Sequence, residues 1–206
     1  MSFASLVLAC LYDGAVACPE RLSSPTGPSP YEAAAQLQQL GLRAVRLSNF
    51  PKAPTLDSLT AYIILHSIQW RVEEPLQHLA IMGIVVRIGT LLGLHRDPSH
   101  FPRIVPIEAE VRRRVWWHIV HCDVSVAIAS GLPPILETAS WDVQGITEVR
   151  EELWGTRVAM EYEAGILSGQ QTRERVEHPG TEHRSLVSTS GILVAGKLRA
   201  ARWWSS

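Results

Sequence analysis

The stretch that decides the fold is LGLHRDPSHF, residues 92–101, followed through PRIV by PIEAEVRRRVWWHIVHCDVSVAIASGLPP, residues 106–134. From Pro106 to about Ser130 neither proline nor glycine recurs. Val111, Val115, Ile119, Cys122, Val126 and Ala129 return at steps of three and four, which is one face of an α-helix. Gly131 and Pro133-Pro134 supply the stop signal. Upstream, His95 and Arg96 sit at or just past the end of another helix, where cations meet exposed carbonyls favourably. Asp97 precedes Pro98, so it initiates a turn that accepts backbone amides or pairs with an arginine.

Prolines mark out the other blocks in the same way. In SPYEAAAQLQQLGLRAVRL, residues 29–47, Ser29 and Glu32 form a capping box around Pro30. Ala33, Leu37, Leu40, Ala44 and Leu47 are the expected buried face. Residues 55–70, TLDSLTAYIILHSIQW, are apolar on most sides, which predicts a central helix. A third block runs from Pro75 to about Leu94, with Leu76, Leu79, Ala80, Ile84, Ile88, Leu91 and Leu92 as its stripe. A weaker helix is expected over Glu148 to Leu167, and a polar, flexible loop or tail over about 168–190. No segment alternates as a strand does. The expected fold class is all-α, a bundle of packed antiparallel helices with a flexible C-terminal tail.

Composition narrows the function classes. The 206 residues carry 19 basic and 20 acidic side chains, a net charge of −1. That balance argues against a global basic field for nucleic acid. Cys10, Cys18 and Cys122 are odd in number and form no C-x-x-C, so neither a disulfide framework nor a cysteine zinc site is expected. The apolar run Phe3 to Leu11, with Ala15-Val16-Ala17 behind it, has the look of a leader, but no cation precedes it, and the alternative is a buried helix. No stretch has the uninterrupted apolar length of a membrane span.

Four local patterns mimic chemistry. His95-Arg96-Asp97 spells the kinase catalytic loop, yet Pro98 and Pro102 stand where leucine and a magnesium-binding asparagine belong. Gly191 to Lys197 matches a phosphate loop, but Leu198 replaces the required hydroxyl residue. His118 faces His121 and Cys122 at helical spacing, enough for two metal ligands. Arg112, Arg113 and Arg114 beside Trp116 and Trp117 suggest a nucleic-acid surface. Successive helical positions diverge by ~100°, however, so the three arginines fan around the helix. Glu108 and Glu110 each lie four residues before Arg112 and Arg114, in the order that favours intrahelical pairs.

Together, Leu94, His95, Arg96, Asp97 and Pro98, then Glu108, Glu110, Arg112, Arg113, Arg114, Trp116 and Trp117, then Asp123, Gly131 and Pro133 resemble the middle homology region of fungal zinc binuclear cluster regulators, the fungal-specific transcription factor domain. The resemblance spans residues 1–154 and thins over 155–206. It implies a helical regulatory region of a nuclear protein, without catalysis, that contacts coregulators or a dimer partner and responds to a small-molecule effector. It implies no membrane association and no cofactor in this chain. DNA binding in that family rests on a separate six-cysteine zinc cluster, which three scattered cysteines cannot form, so specific DNA binding by this chain alone is not expected. The alternative from the residues is a small helical enzyme or ligand-binding protein using His95, Asp97, His118 and His121.

Overall fold

A computed structural model describes residues 2–22, 27–67 and 75–146. Among them, regular structure is helical: α1 Ser2–Ala17, α2 Pro30–Leu47, α3 Leu56–Ser67, α4 Pro75–Leu91 and α5 Pro106–Ser130, with short 3-10 turns at Pro19–Leu22, Pro98–His100 and Thr138–Ser140. No helix among the described residues is long and apolar enough to cross a membrane. The helix expected over 148–167, the polar segment at 168–190 and the phosphate-loop mimic at 191–197 lie outside the described residues.

The helix ends follow local chemistry. The Ser29 hydroxyl accepts from the Glu32 amide at 3.3 Å, and the Glu32 carboxylate accepts from the Ser29 amide at 2.9 Å, completing the expected capping box. At the end of α4, Gly93 adopts a φ of 72°. Its amide donates to the Thr90 carbonyl, and the next amide, of Leu94, donates to the Gly89 carbonyl. This is a Schellman ending, which satisfies carbonyls that the helix leaves open. It turns Leu94 back into the core, where it is almost fully buried. Gly131, at φ 70°, closes α5 in the same left-handed conformation.

α3 is the central helix, as its apolar circumference predicts. Leu59 and Ile63 join a core with Met82, Val85 and Val86 of α4 and Val115, Trp116 and Ile119 of α5. Ala61, Ile64 and Leu65 join a second core with Leu6, Ala9 and Tyr12 of α1 and Ala34 and Val45 of α2. Residues 3–17, with their leader-like composition, are thus a packed helix of that second core. Gly41 lets α2 close on α3: a β-carbon there would lie 2.7 Å from Leu65 Cδ2.

Two helices are rotated from their expected faces. α2 buries Ala34, Gly41 and Val45, while Leu40 and Leu47 stand 48% and 71% exposed. α4 buries His78, Met82, Val85, Val86 and Ile88, leaving Ala80, Ile84 and Leu91 outside. In both, apolar residues occur on more than one side, and close approach at small residues decides which side packs. A β-carbon on Gly89 of α4 would lie 3.1 Å from Ile119 of α5. Ala129 of α5 is also exposed, whereas the rest of its expected stripe is buried.

Beyond α5 the chain doubles back along that helix. The Ile135 and Leu136 amides meet the Asp123 carboxylate near its C-terminal end. Gln144, further on, meets Trp117 and Asp97 towards its N-terminal end.

Candidate functional site

The site is the meeting of three segments: the turn 95–101 after α4, the first half of α5, and the returning segment at 141–144. Its centre is Asp97, 1% exposed. Asp97 caps the Pro98–His100 turn by accepting the Ser99 amide at 2.9 Å. Arg113 grips the same carboxylate with two donors, Nε to Oδ2 at 3.0 Å and Nη2 to Oδ1 at 3.1 Å. The Gln144 amide adds a fourth bond, to Oδ2 at 2.9 Å. Burial alone would raise this carboxyl's pKa. The Arg113 guanidinium and the Gln144 and Ser99 amides outweigh it and hold the group well below the usual carboxylate range. One side chain thereby ties the turn, α5 and the returning chain together, as the turn reading of Asp97 with an arginine partner anticipates.

The returning chain is fastened at further points. The Asp97 amide donates to Asp142 Oδ1 at 2.8 Å, and the Asp142 amide donates to the His95 carbonyl at 3.2 Å. Asp142 also faces Arg96 at 3.1 Å and His100 at 3.4 Å. The Asp97 amide chiefly, with Arg96 and His100, lowers the pKa of this exposed carboxyl. Trp117 donates from Nε1 to the Gln144 carbonyl at 2.8 Å. Trp141 stands edge-on to both Trp117 and Trp116, at 5.1 and 6.4 Å between ring centres. Such edge-to-face packing suits the aromatic quadrupole. Trp116 itself is fully buried.

The three consecutive arginines have three different tasks. Arg112 pairs with Glu108 at 3.1 Å and donates to the Leu92 carbonyl at 3.3 Å, across from α5 to the end of α4. Arg113 holds Asp97. Arg114 donates to Glu110 at 2.9 Å, and Glu110 is 1% exposed. Both i,i+4 pairs expected from spacing are thus formed. The open carbonyl of α4 is met by Arg112, in place of His95 or Arg96 as anticipated. Arg96 turns to Asp142, and His95 lies with its ring 6.3 Å from that of Trp116.

The remaining motif residues divide between packing and anchoring. Leu94 and Pro98 are buried. Asp123, 3% exposed, accepts the Ile135 and Leu136 amides at 3.2 and 2.8 Å just beyond exposed Gly131 and Pro133. Asp142, Gln144 and Trp141 belong to the same site but carried no signal in the sequence. Two of them act through a backbone amide or carbonyl, and all lie 24 or more residues from their α5 and turn partners.

The four residues of the enzyme or ligand-binding alternative do not converge. Asp97 is committed to Arg113, while His118 lies five residues along α5 and on another face. There its Nε2 is 3.6 Å from Cys122 Sγ. Burial, aided by His121, lowers the His118 pKa to about 4, and burial raises that of Cys122. His121 is exposed. Among the described residues, no three histidine, cysteine or acidic side chains are grouped so as to hold a metal ion.

Comparison with known proteins identifies the family to which these residues belong. Residues 2–162 match the family model of the fungal specific transcription factor domain. The chain is similar to "Transcription factor yanR" of Aspergillus niger, 27% identical over 90% of this chain and 22% of that protein. It is similar to "Transcription factor macR" of Penicillium terrestre, 31% identical over 68% of this chain and 17% of that one. A third relative is "Zn(2)-C6 fungal-type transcription factor pigI" of Monascus ruber, 31% identical over 60% of the chain and 15% of the relative. The chain therefore spans about a fifth of the length of such relatives. No solved structure matches it. With the match covering the five helices and the returning chain that Asp97 locks to α5, the protein belongs to the fungal specific transcription factor domain family.

Proposed function

We propose that this chain is the helical regulatory and interaction core of a fungal transcription regulator, acting in the nucleus through protein contacts and without catalysis. The observation that carries the reading is the consumption of its conspicuous charged motif. Arg112, Arg113 and Arg114 spend their charge on Glu108, Asp97 and Glu110. A helix that reads DNA needs such cations free for phosphates and base edges. A general acid or base needs a pKa near working pH and access to a substrate. Asp97 has neither, being buried and strongly acidic. What the network does supply is a rigid frame, on which surface helices can present contacts to coregulators, a dimer partner or a small effector.

In this reading zinc and sequence-specific DNA binding come from a six-cysteine cluster, which Cys10, Cys18 and Cys122 cannot build. The experiment is a reporter assay with the chain fused to an unrelated DNA-binding domain, alongside metal analysis and gel shifts of the purified chain. Expected are a change in reporter output, no stoichiometric zinc and no sequence-specific shift. Inert fusion protein, bound zinc or a specific shift by the chain alone would overturn the proposal.

A further inference from the structure

A second set of cations behaves unlike the first. Between Glu32 and Asp57 there is no acidic residue, yet Arg43, Arg46 and Lys52 all fall there. All three are exposed. Among the described residues, none has a carboxylate partner. On α2, Gln36, Leu40, Arg43 and Leu47 follow at steps of four, three and four, with Gln39 and Arg46 beside them, so they share one face. It is the face opposite Ala34, Gly41 and Val45, which pack against α1 and α3. Leu40 and Leu47, expected to be core, therefore stand on a basic, solvent-facing stripe, on either side of Arg43.

We infer that this face of α2 is a docking surface for an acidic amphipathic helix of another protein. The two leucines offer the apolar centre, and the cations and glutamines the polar rim, that a protein interface combines. An acidic helix laid along α2 would cover the leucines with its own apolar residues and place carboxylates opposite Arg43 and Arg46. Nucleic acid would satisfy the cations but leave the leucines without an apolar partner. A second copy of this face would bring cations against cations, so charge complementarity selects a partner of opposite sign. This surface is independent of the Asp97 site, which lies on the turn after α4, on α5 and on the returning chain.

The test measures binding of the full chain to a labelled synthetic helix with Asp and Glu on one face and Leu and Trp on the other. A scrambled peptide of the same composition and a DNA duplex serve as competitors. The expected result is saturable binding that weakens with salt, falls about tenfold or more in Arg43→Glu/Arg46→Glu, and falls comparably in Leu40→Ser/Leu47→Ser. Arg103→Glu, an exposed charge in the segment between the Pro98–His100 turn and α5, should leave it unchanged. All these positions are exposed, and unaltered circular dichroism would verify folding. Absent binding, equal binding of the scrambled peptide, indifference to either double substitution, or preference for DNA would each overturn the inference.

Discussion

Arginine is used in opposite ways on the two sides of α3. On the α4–α5 side, Arg113 is 6% exposed and bound to a carboxylate that is itself 1% exposed. On the α1–α2 side, the core is apolar apart from hydroxyl groups, and the arginines of α2 remain in solvent with no acidic partner among the described residues. The first arrangement gives directional specificity: a carboxylate with four donors fixes three segments at once. The second relies on shape, with Gly41 admitting Leu65, and leaves its charge for contacts outside the domain. A buried pair does not by itself add stability relative to an apolar replacement, but losing one partner is costly. Each side should therefore break differently.

Arg113→Met should produce the largest effect, because it strands Asp97 in the core. The expected loss is about 3–5 kcal/mol, read from the denaturation midpoint. Arg43→Met, on the other side, should change stability by no more than about 0.5 kcal/mol. A similar cost for both would erase the contrast. The apolar side should fail through a cavity: Leu65→Ala is expected to lose about 2–5 kcal/mol, with the Asp97 cluster intact.

Acid should separate two events on the α4–α5 side. His118 has its pKa lowered to about 4 by burial, so the unfolded chain takes up its proton first, and stability falls as pH drops from about 6.5 towards 4. Asp97 is held well below its ordinary range, so its contribution is complete above about pH 4 and disappears as pH falls through the folded value. In urea titrations at stepped pH, His118→Gln should flatten the upper window and Asp97→Asn the lower. Interchanged windows would contradict both assignments. The smallest effect belongs to the half-exposed Glu108, whose pair with Arg112 is worth about 0.2–0.5 kcal/mol, so Glu108→Gln should barely move the melting temperature.

What could be read from the sequence was mostly local. The capping box at Ser29, the bounds of α5, and the pairs of Glu108 with Arg112 and Glu110 with Arg114 depend on spacings of three and four residues. Asp97 was legible as an arginine-seeking turn residue, but the identity of that arginine depends on how α5 is rotated against the turn. The returning chain was illegible. Gln144 contributes an amide and a carbonyl that every residue type but proline possesses, and Asp142 reaches the turn across about 45 positions. The buried faces of α2 and α4 differ from the expected ones for another reason. Leu40 and Leu47 are as apolar as a core requires, and only the glycine-mediated contact with α3 reveals that α2 turns them outward.

The central claim is that Asp97 locks the returning chain to α5 locally, as a separate matter from the apolar core of α1 to α3. Native-state hydrogen exchange tests it most directly, by comparing the wild-type chain with Asp97→Asn at each amide. The Gln144 and Ser99 amides should lose protection in the variant, while those in the middle of α1 and α3, such as Ala9 and Ala61, exchange as before. Unchanged exchange at Gln144, or an equal loss of protection at all four, would contradict it.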